Sequence, residues 1–279
     1  MSGFFYPLKG KLEMTNLYDL TARCLWADDA EEKLTLTDEL GQMWRDGLLS
    51  LTSQDDPKPV GEPGRPEKPV LVKFSEVPKR GLGTSQGRAA LVHAVTHIEF
   101  NAINLALDAV YRFRDLPKEF YGDWIRVAVE EVSHFRLLRN RLKQLGFDYG
   151  DFPAHNGLWD MAKRTAHDPL ARMALVPRTL EARGLDVMPG IIERLRRAGD
   201  AETIPSLEII LREEVGHVEI GSRWFKYLCG QRGLDYEQTF RDLVGKYFFG
   251  QLRGPFDYAA RQKAGFTARE LEALENPGR

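Results

Sequence analysis

Cysteine is nearly absent: Cys24 and Cys229 are the only two in 279 residues, too few for a disulfide framework or a thiolate zinc site. Long apolar runs are missing as well. No stretch reaches the roughly 18 consecutive apolar residues that a membrane-spanning helix needs. Met1 to Leu20 has no uninterrupted apolar segment behind a basic start, so no signal peptide is expected. Nor does one sign of charge dominate: 39 basic and 41 acidic residues, well mixed, leave a net charge of -2. Such a balance provides no field to gather nucleic acid or an anionic membrane surface. Low-complexity tracts and short-period repeats are lacking. The expectation is a cytoplasmic protein with neither membrane nor nucleic acid as partner.

What is present is helical periodicity. With 43% hydrophobic residues the chain can bury a full core. Residues 1–52 read as an N-terminal helical extension, with helices over Asn16 to Trp26 and Asp28 to Leu49. Thr52 to Pro69 then holds five prolines and two glycines, and 53–83 is expected to be an extended arm. Residues 84–230 carry four long helical patterns. The first runs from Thr84 or Ser85 to Phe113 and turns at Asp115, Leu116 and Pro117; the second, Pro117 to Leu145, stops at Gly146. Gly146 to His167 has little helical pattern and is long enough to cross a bundle. Asp168 and Pro169, a cap and a first-turn proline, open a third helix to Ala198, in which Pro177 and Pro189 should each cause a bend. A fourth covers Thr203 to Cys229. Residues 231–279 are expected to add helices over Tyr236 to Phe248, Pro255 to Ala264 and Thr267 to Leu274, packed outside the bundle.

Each of the four long patterns carries one acid within its apolar stripe: Glu99, Glu131, Glu181 and Glu214. Two of them are followed three residues later by histidine, Glu131 by His134 and Glu214 by His217, which puts both side chains on one helix face. Burying these groups is costly unless something satisfies them, and a divalent metal does so for carboxylate and imidazole together. Glu99 and Glu131 are 32 residues apart, Glu181 and Glu214 33. The first pair is centred on Asp115 and the second within two residues of Gly199, so in two helical hairpins each pair should lie level. One Glu from each of two helices plus a Glu-x-x-His from each of the others is the ligand set of dinuclear iron or manganese carboxylate bundles.

Through these residues the chain resembles the ferritin-like superfamily. Within it, the chain is similar to the uncharacterised family catalogued as domain of unknown function 455, through H-I-E-F at residue 97, E-E-V-S-H at 130, Y-G-D-F-P-A-H-N-G-L-W at 149, E-A-R-G-L-D at 181 and E-E-V-G-H-V-E-I-G at 213. The resemblance spans Thr84 to Cys229 and implies an all-α, ferritin-like four-helix bundle with one long crossover. It implies metals but no activity. Carboxylates and imidazoles without thiolates suit two iron ions, or manganese, or a mixed pair. The function expected of such a site is oxidase or oxygenase chemistry with O2 on a small organic substrate, fed by an electron donor; a homodimer is compatible with it. The alternatives are ferroxidase or iron handling and, ranked below, a tRNA-modifying hydroxylase.

Other residues near the motifs have two readings each. His97, two positions from Glu99, either packs or supports a ligand. Arg178 and Arg183 flank Glu181 and either pair with nearby acids or orient it. His155 and Trp159 belong to a packed crossover or to a lid that contacts substrate. Glu130 and Glu213, preceding the ligand acids, either face solvent, the preferred reading, or support a ligand from behind.

Overall fold

Helices begin in this chain where a side chain can take over the first free amides. In the computed structural model, which describes residues 14–52, 55–248, 252 and 254–275, Asn16 caps α1 (Leu17–Trp26) by accepting from the Tyr18 and Asp19 amides. Asp29 caps α2 (Ala30–Arg45). Thr84 caps α3 (Ser85–Arg112) through the Gly87 amide, and α4 (Lys118–Gln144) follows Pro117. Asp115 makes the turn between them with a left-handed φ of 60°, a conformation that aspartate tolerates better than most side chains. Parts of the expected terminal extensions, 1–13, 249–251, 253 and 276–279, lie outside the described residues.

The arm is extended, as its prolines require, apart from a short turn at Phe74–Glu76. It lies against the crossover: Leu71 bridges to Ala154, and the Trp159 indole donates to the Gly61 carbonyl at 2.9 Å. The crossover is not free of helix. Gly157–Arg164 forms α5, which buries Trp159, Met161 and Ala162. Eight residues opening on a glycine are too few to display a helical period in sequence, so α5 is visible only through what it packs against.

The third long helix is also not continuous. Asp168 and Pro169 start α6 (Pro169–Leu175) as expected. The chain then widens into a π-helical turn over Val176–Glu181 before α7 (Ala182–Arg197) resumes. Pro177 has no amide hydrogen to complete a normal turn, and the Thr179 hydroxyl donates instead to the Ala174 carbonyl at 2.8 Å. Pro189 does not end the helix: α7 runs through it. Gly199, at φ 73°, turns the chain into α8 (Ile204–Gln231). Then come α9 (Tyr236–Tyr247), α10 (Tyr258–Lys263) and α11 (Ala268–Glu275). No helix among the described residues is long and apolar enough to cross a membrane.

The chain is thus all-α, built around the bundle of α3, α4, α6 to α7, and α8, and its core falls into two apolar clusters. One holds Val92, Val95, Leu138, Leu142, Met188, Ile192, Leu207 and Ile210. The other holds Phe100, Ile103, Ala128, Phe135, Ala182, Leu185, Val218 and Phe225, and extends to α1 and α2. On α3 and α8 the inward acid falls between the two clusters, while Glu131 and Glu181 lie among residues of the second. The polar layer is thus enclosed by apolar packing, which holds it in place.

The π turn fits because α8 presents Gly221 to it. A Cβ at 221 would stand 2.4 Å from both Cβ and Cγ of Pro177, an overlap that neither ring nor helix can relieve without moving. Gly221→Ala is expected to destabilise the protein by ~1–3 kcal/mol, read as a lower denaturant midpoint. An unchanged midpoint would show that the turn yields freely.

Candidate metal centre

Glu131, on α4, lies at the centre of the polar layer. It is 1% exposed, and its two oxygens face different histidines: Oε2 is 3.2 Å from Nδ1 of His134 and Oε1 is 3.0 Å from Nδ1 of His217. Glu99 reaches His134 Nδ1 from α3 at 3.3 Å. Glu214 approaches His217 Nδ1 at 3.6 Å from its own helix. Ligand-type atoms of Glu99, Glu131, His134 and Glu214 all lie within 4.8 Å of one another. Two donors on opposite sides of one ion, each bonded at ~2.1 Å, stand ~4.2 Å apart, so this cluster could hold a metal ion.

Glu181 and His217 are not among those four, but His217 touches Glu131 and Glu181 is near enough to feel the charges of Glu214 and Glu131. Glu99 Oε2, Glu181 Oε2 and His217 Nδ1 are buried and have no hydrogen-bond partner, because the close approaches of Glu99 and His217 are poorly aligned. Buried polar atoms left without partners are costly in a protein interior and are what a cation needs. Glu181 enters from the end of the π turn. Glu214 keeps 13% of its side-chain exposure against 1% for Glu131, and Glu181 is also only half-buried, so the layer is more open at these two acids than at Glu131.

The outward nitrogens of both histidines are held by the acids that precede the motif glutamates. His134 Nε2 is 2.8 Å from Glu213 Oε2, and His217 Nε2 is 2.7 Å from Glu130 Oε2. Each histidine is thus gripped by the opposite helix, α4 by α8 and α8 by α4. Glu130 and Glu213 are about one-third exposed. Of their two readings the solvent-facing one gives way to the supporting one: they reach from the surface inward. A carboxylate on Nε2 keeps the proton there and leaves Nδ1 to the interior.

Electrostatics without a metal follow from crowding. Burial pushes Glu181 up to about 8, reinforced by the charges of Glu214 and Glu131. Burial and the charge of Glu131 raise Glu99 and Glu214 as well. For His134, burial would favour the neutral ring, but the close carboxylates of Glu131 and Glu99 overcome it and raise the ring to about 11. His217 is raised likewise, the charge of Glu131 outweighing burial. Glu131 alone is held well below the usual carboxylate range: burial opposes its charge, but His217 and His134 prevail. The protons on the histidines occupy the role that cations would take.

The remaining predicted residues bond elsewhere. His97 contacts the Tyr149 hydroxyl at 2.9 Å, Asn101 and the His155 carbonyl. The His155 ring accepts from the Gly157 amide and meets Phe74 edge-on. Trp159 is fully buried and anchors the arm, which contradicts a lid. Arg178 does not orient Glu181; it pairs with Glu270 at 2.7 Å, donates to Ser222, and lies among the rings of Phe225, Phe240 and Phe266. Arg183 is half exposed and 3.5 Å from Asp186. At Glu130 and Glu213 the sequence reading ranked the supporting role second, although the doubled acid in both E-E-x-x-H motifs pointed to it.

The sequence pattern of the family described as "Protein of unknown function (DUF455)" matches residues 26–272. An "Uncharacterized protein" of Haemophilus influenzae (strain ATCC 51907 / DSM 11121 / KW20 / Rd) is 44% identical over 269 residues, which cover 93% of each chain. No solved structure matches.

The metal-free protein should lose stability as pH rises. His134 has its folded pKa above the ordinary 6.5, so its contribution is complete below 6.5 and is lost on the way to about 11. Glu181, raised from 4.5 to about 8, acts in the same direction, since its neutral form is favoured only when folded. The melting temperature in chelator should therefore fall from pH 6.5 to 9, and bound divalent metal should flatten that slope. A chelated protein with constant or rising melting temperature over this range would refute the protonation pattern.

Proposed function

The chain belongs to the DUF455 family, whose description names no activity, and from the site itself we propose that it is a dinuclear iron, or iron/manganese, oxidoreductase of the ferritin-like type that uses O2 on a small organic substrate. One contrast carries this reading. Where the fold buries acids for structure, it supplies arginine: Asp108 pairs with Arg112 and Arg172, Asp186 with Arg261, Asp200 with Arg141, and Glu270 with Arg178. Glu99, Glu131, Glu181 and Glu214 make no such pair among the described residues, and three atoms of the layer are left unpartnered. Four carboxylates would balance two divalent cations.

The donor set, oxygen and imidazole nitrogen with no sulfur, suits iron or manganese. Such a pair, when bound, would supply the electrons and the Lewis acidity that O2 chemistry requires. In this assignment Glu99, Glu131, His134, Glu181, Glu214 and His217 are the ligands. Glu131, whose oxygens already face different histidines, is suited to bridge. His134 and His217 bind through Nδ1, their orientation set by Glu213 and Glu130. The apolar clusters around them exclude bulk water, and the more open flank at Glu214 is where small reactants would approach. Turnover would need an external electron donor.

Protein purified from iron- and manganese-supplied cells should contain about two ions per chain. Anaerobic Fe(II) loading followed by O2 should give an optical change and oxygen uptake, both lost in Glu131→Gln. Loading with neither signal would end the redox assignment. Glu130→Gln and Glu213→Gln should leave the helical content intact and weaken metal affinity by ~10–100-fold; affinities equal to wild type would remove these residues from the site.

A further inference from the structure

Between the proline arm and the α3–α4 turn lies a cavity of about 440 Å³, a size typical of small-molecule sites. Lys58, Arg112, Arg114 and His167 line it together with Pro57, Pro59 and Phe113, and no carboxylate does. None of the Glu/His cluster reaches it.

Positive charge here exceeds its local compensation. Asp108, beneath the cavity, is shared by Arg112 at 2.6 Å and the fully buried Arg172 at 2.5 Å, so one carboxylate answers two guanidiniums. Asp168 is taken by Arg232 at 2.8 Å. Asp55, Asp56 and Asp115 are exposed chain neighbours of Lys58 and Arg114 that do not line the cavity.

Arg114 supplies the decisive detail. Its guanidinium is stacked 3.4 Å from the centroid of the Tyr18 ring, and its Nε donates to the Tyr111 carbonyl at 2.8 Å. Held that way, its Nη1 is buried without any hydrogen-bond partner. A buried, unpartnered guanidinium N–H is costly, and no carboxylate pairs with Arg114 among the described residues, so its charge is left for an anion in the adjoining cavity to balance. Arg112 is equally constrained through Asp108 and the Val60 carbonyl. Two arginines held in place, with an exposed lysine at the rim, match a phosphate better than a carboxylate, because a phosphate offers oxygens to several cations at once. Pro57, Pro59 and Phe113 present apolar faces for an organic group. We infer that this cavity binds the phosphate of a small phosphorylated compound, at a site separate from the Glu/His layer.

The test is calorimetric titration of the full chain with inorganic phosphate and with AMP, at constant ionic strength in chloride. Both should bind saturably, AMP more tightly. Arg114→Gln should weaken each by about tenfold or more, and Lys58→Ala, at an exposed position, should weaken them several-fold with an unchanged denaturant midpoint. If Arg114→Gln does not fold, Lys58→Glu decides alone by the loss of phosphate binding. Absence of saturable binding by the wild-type protein, or affinities unchanged in the folded variants, would overturn the assignment. So would a short single-stranded RNA that binds where phosphate and AMP do not, since the surface would then serve a nucleic-acid backbone.

Discussion

The structure depends on one carboxylate shared by two imidazoles. Glu131 faces His134 with one oxygen and His217 with the other, and the histidines come from helices far apart in sequence. Fully desolvated, a lone carboxylate would be driven to its neutral form. Between two histidines it stays charged, and its charge raises both rings in turn. Because Glu130 and Glu213 hold the far sides of those rings from the opposite helices, α4 and α8 are linked at three points across one level of the bundle. Around this link the other acids are placed: Glu99 by α3, Glu181 by the π turn.

The polar layer is kept narrow by what surrounds it. Apolar clusters enclose it, and the fold's other buried charges are dealt with away from it. Arg141 joins α4 to the α7–α8 turn through Asp200, Thr203 and Glu202. Arg172 ties α6 to α3 through Asp108, and Arg178 and Arg261 fasten the π turn and α7 to the C-terminal helices through Glu270 and Asp186. Removing one member of such a pair strands the other in the interior, so these clamps set the relative positions of the rods with little freedom. A site that must gather groups from four rods needs that rigidity.

Legibility in sequence followed physical range. Glu99, Glu131, Glu181 and Glu214 stood out because an acid in an apolar stripe violates a helical period visible over about ten residues, and equal spacing from Asp115 and Gly199 placed them level. The hairpin turns were readable from the same arithmetic. By contrast, α5 has only eight residues, and the π turn arises from Pro177 lodged against Gly221, a contact between segments 44 residues apart. For Arg178 the sequence offered only neighbouring acids or Glu181 as partners; its partner, Glu270, lies in α11, 92 residues away.

By itself the sequence determined the helical class, the extended arm and the set of inward acids and histidines, because these depend on local propensity and on periodicity along one helix. Tertiary structure decided how those groups are partnered. Which acid holds which histidine, why Glu130 and Glu213 turn inward, and why Arg114 is left with a free N–H are matters of distance between chain segments, and helical period carries no information about what lies across the gap between two helices.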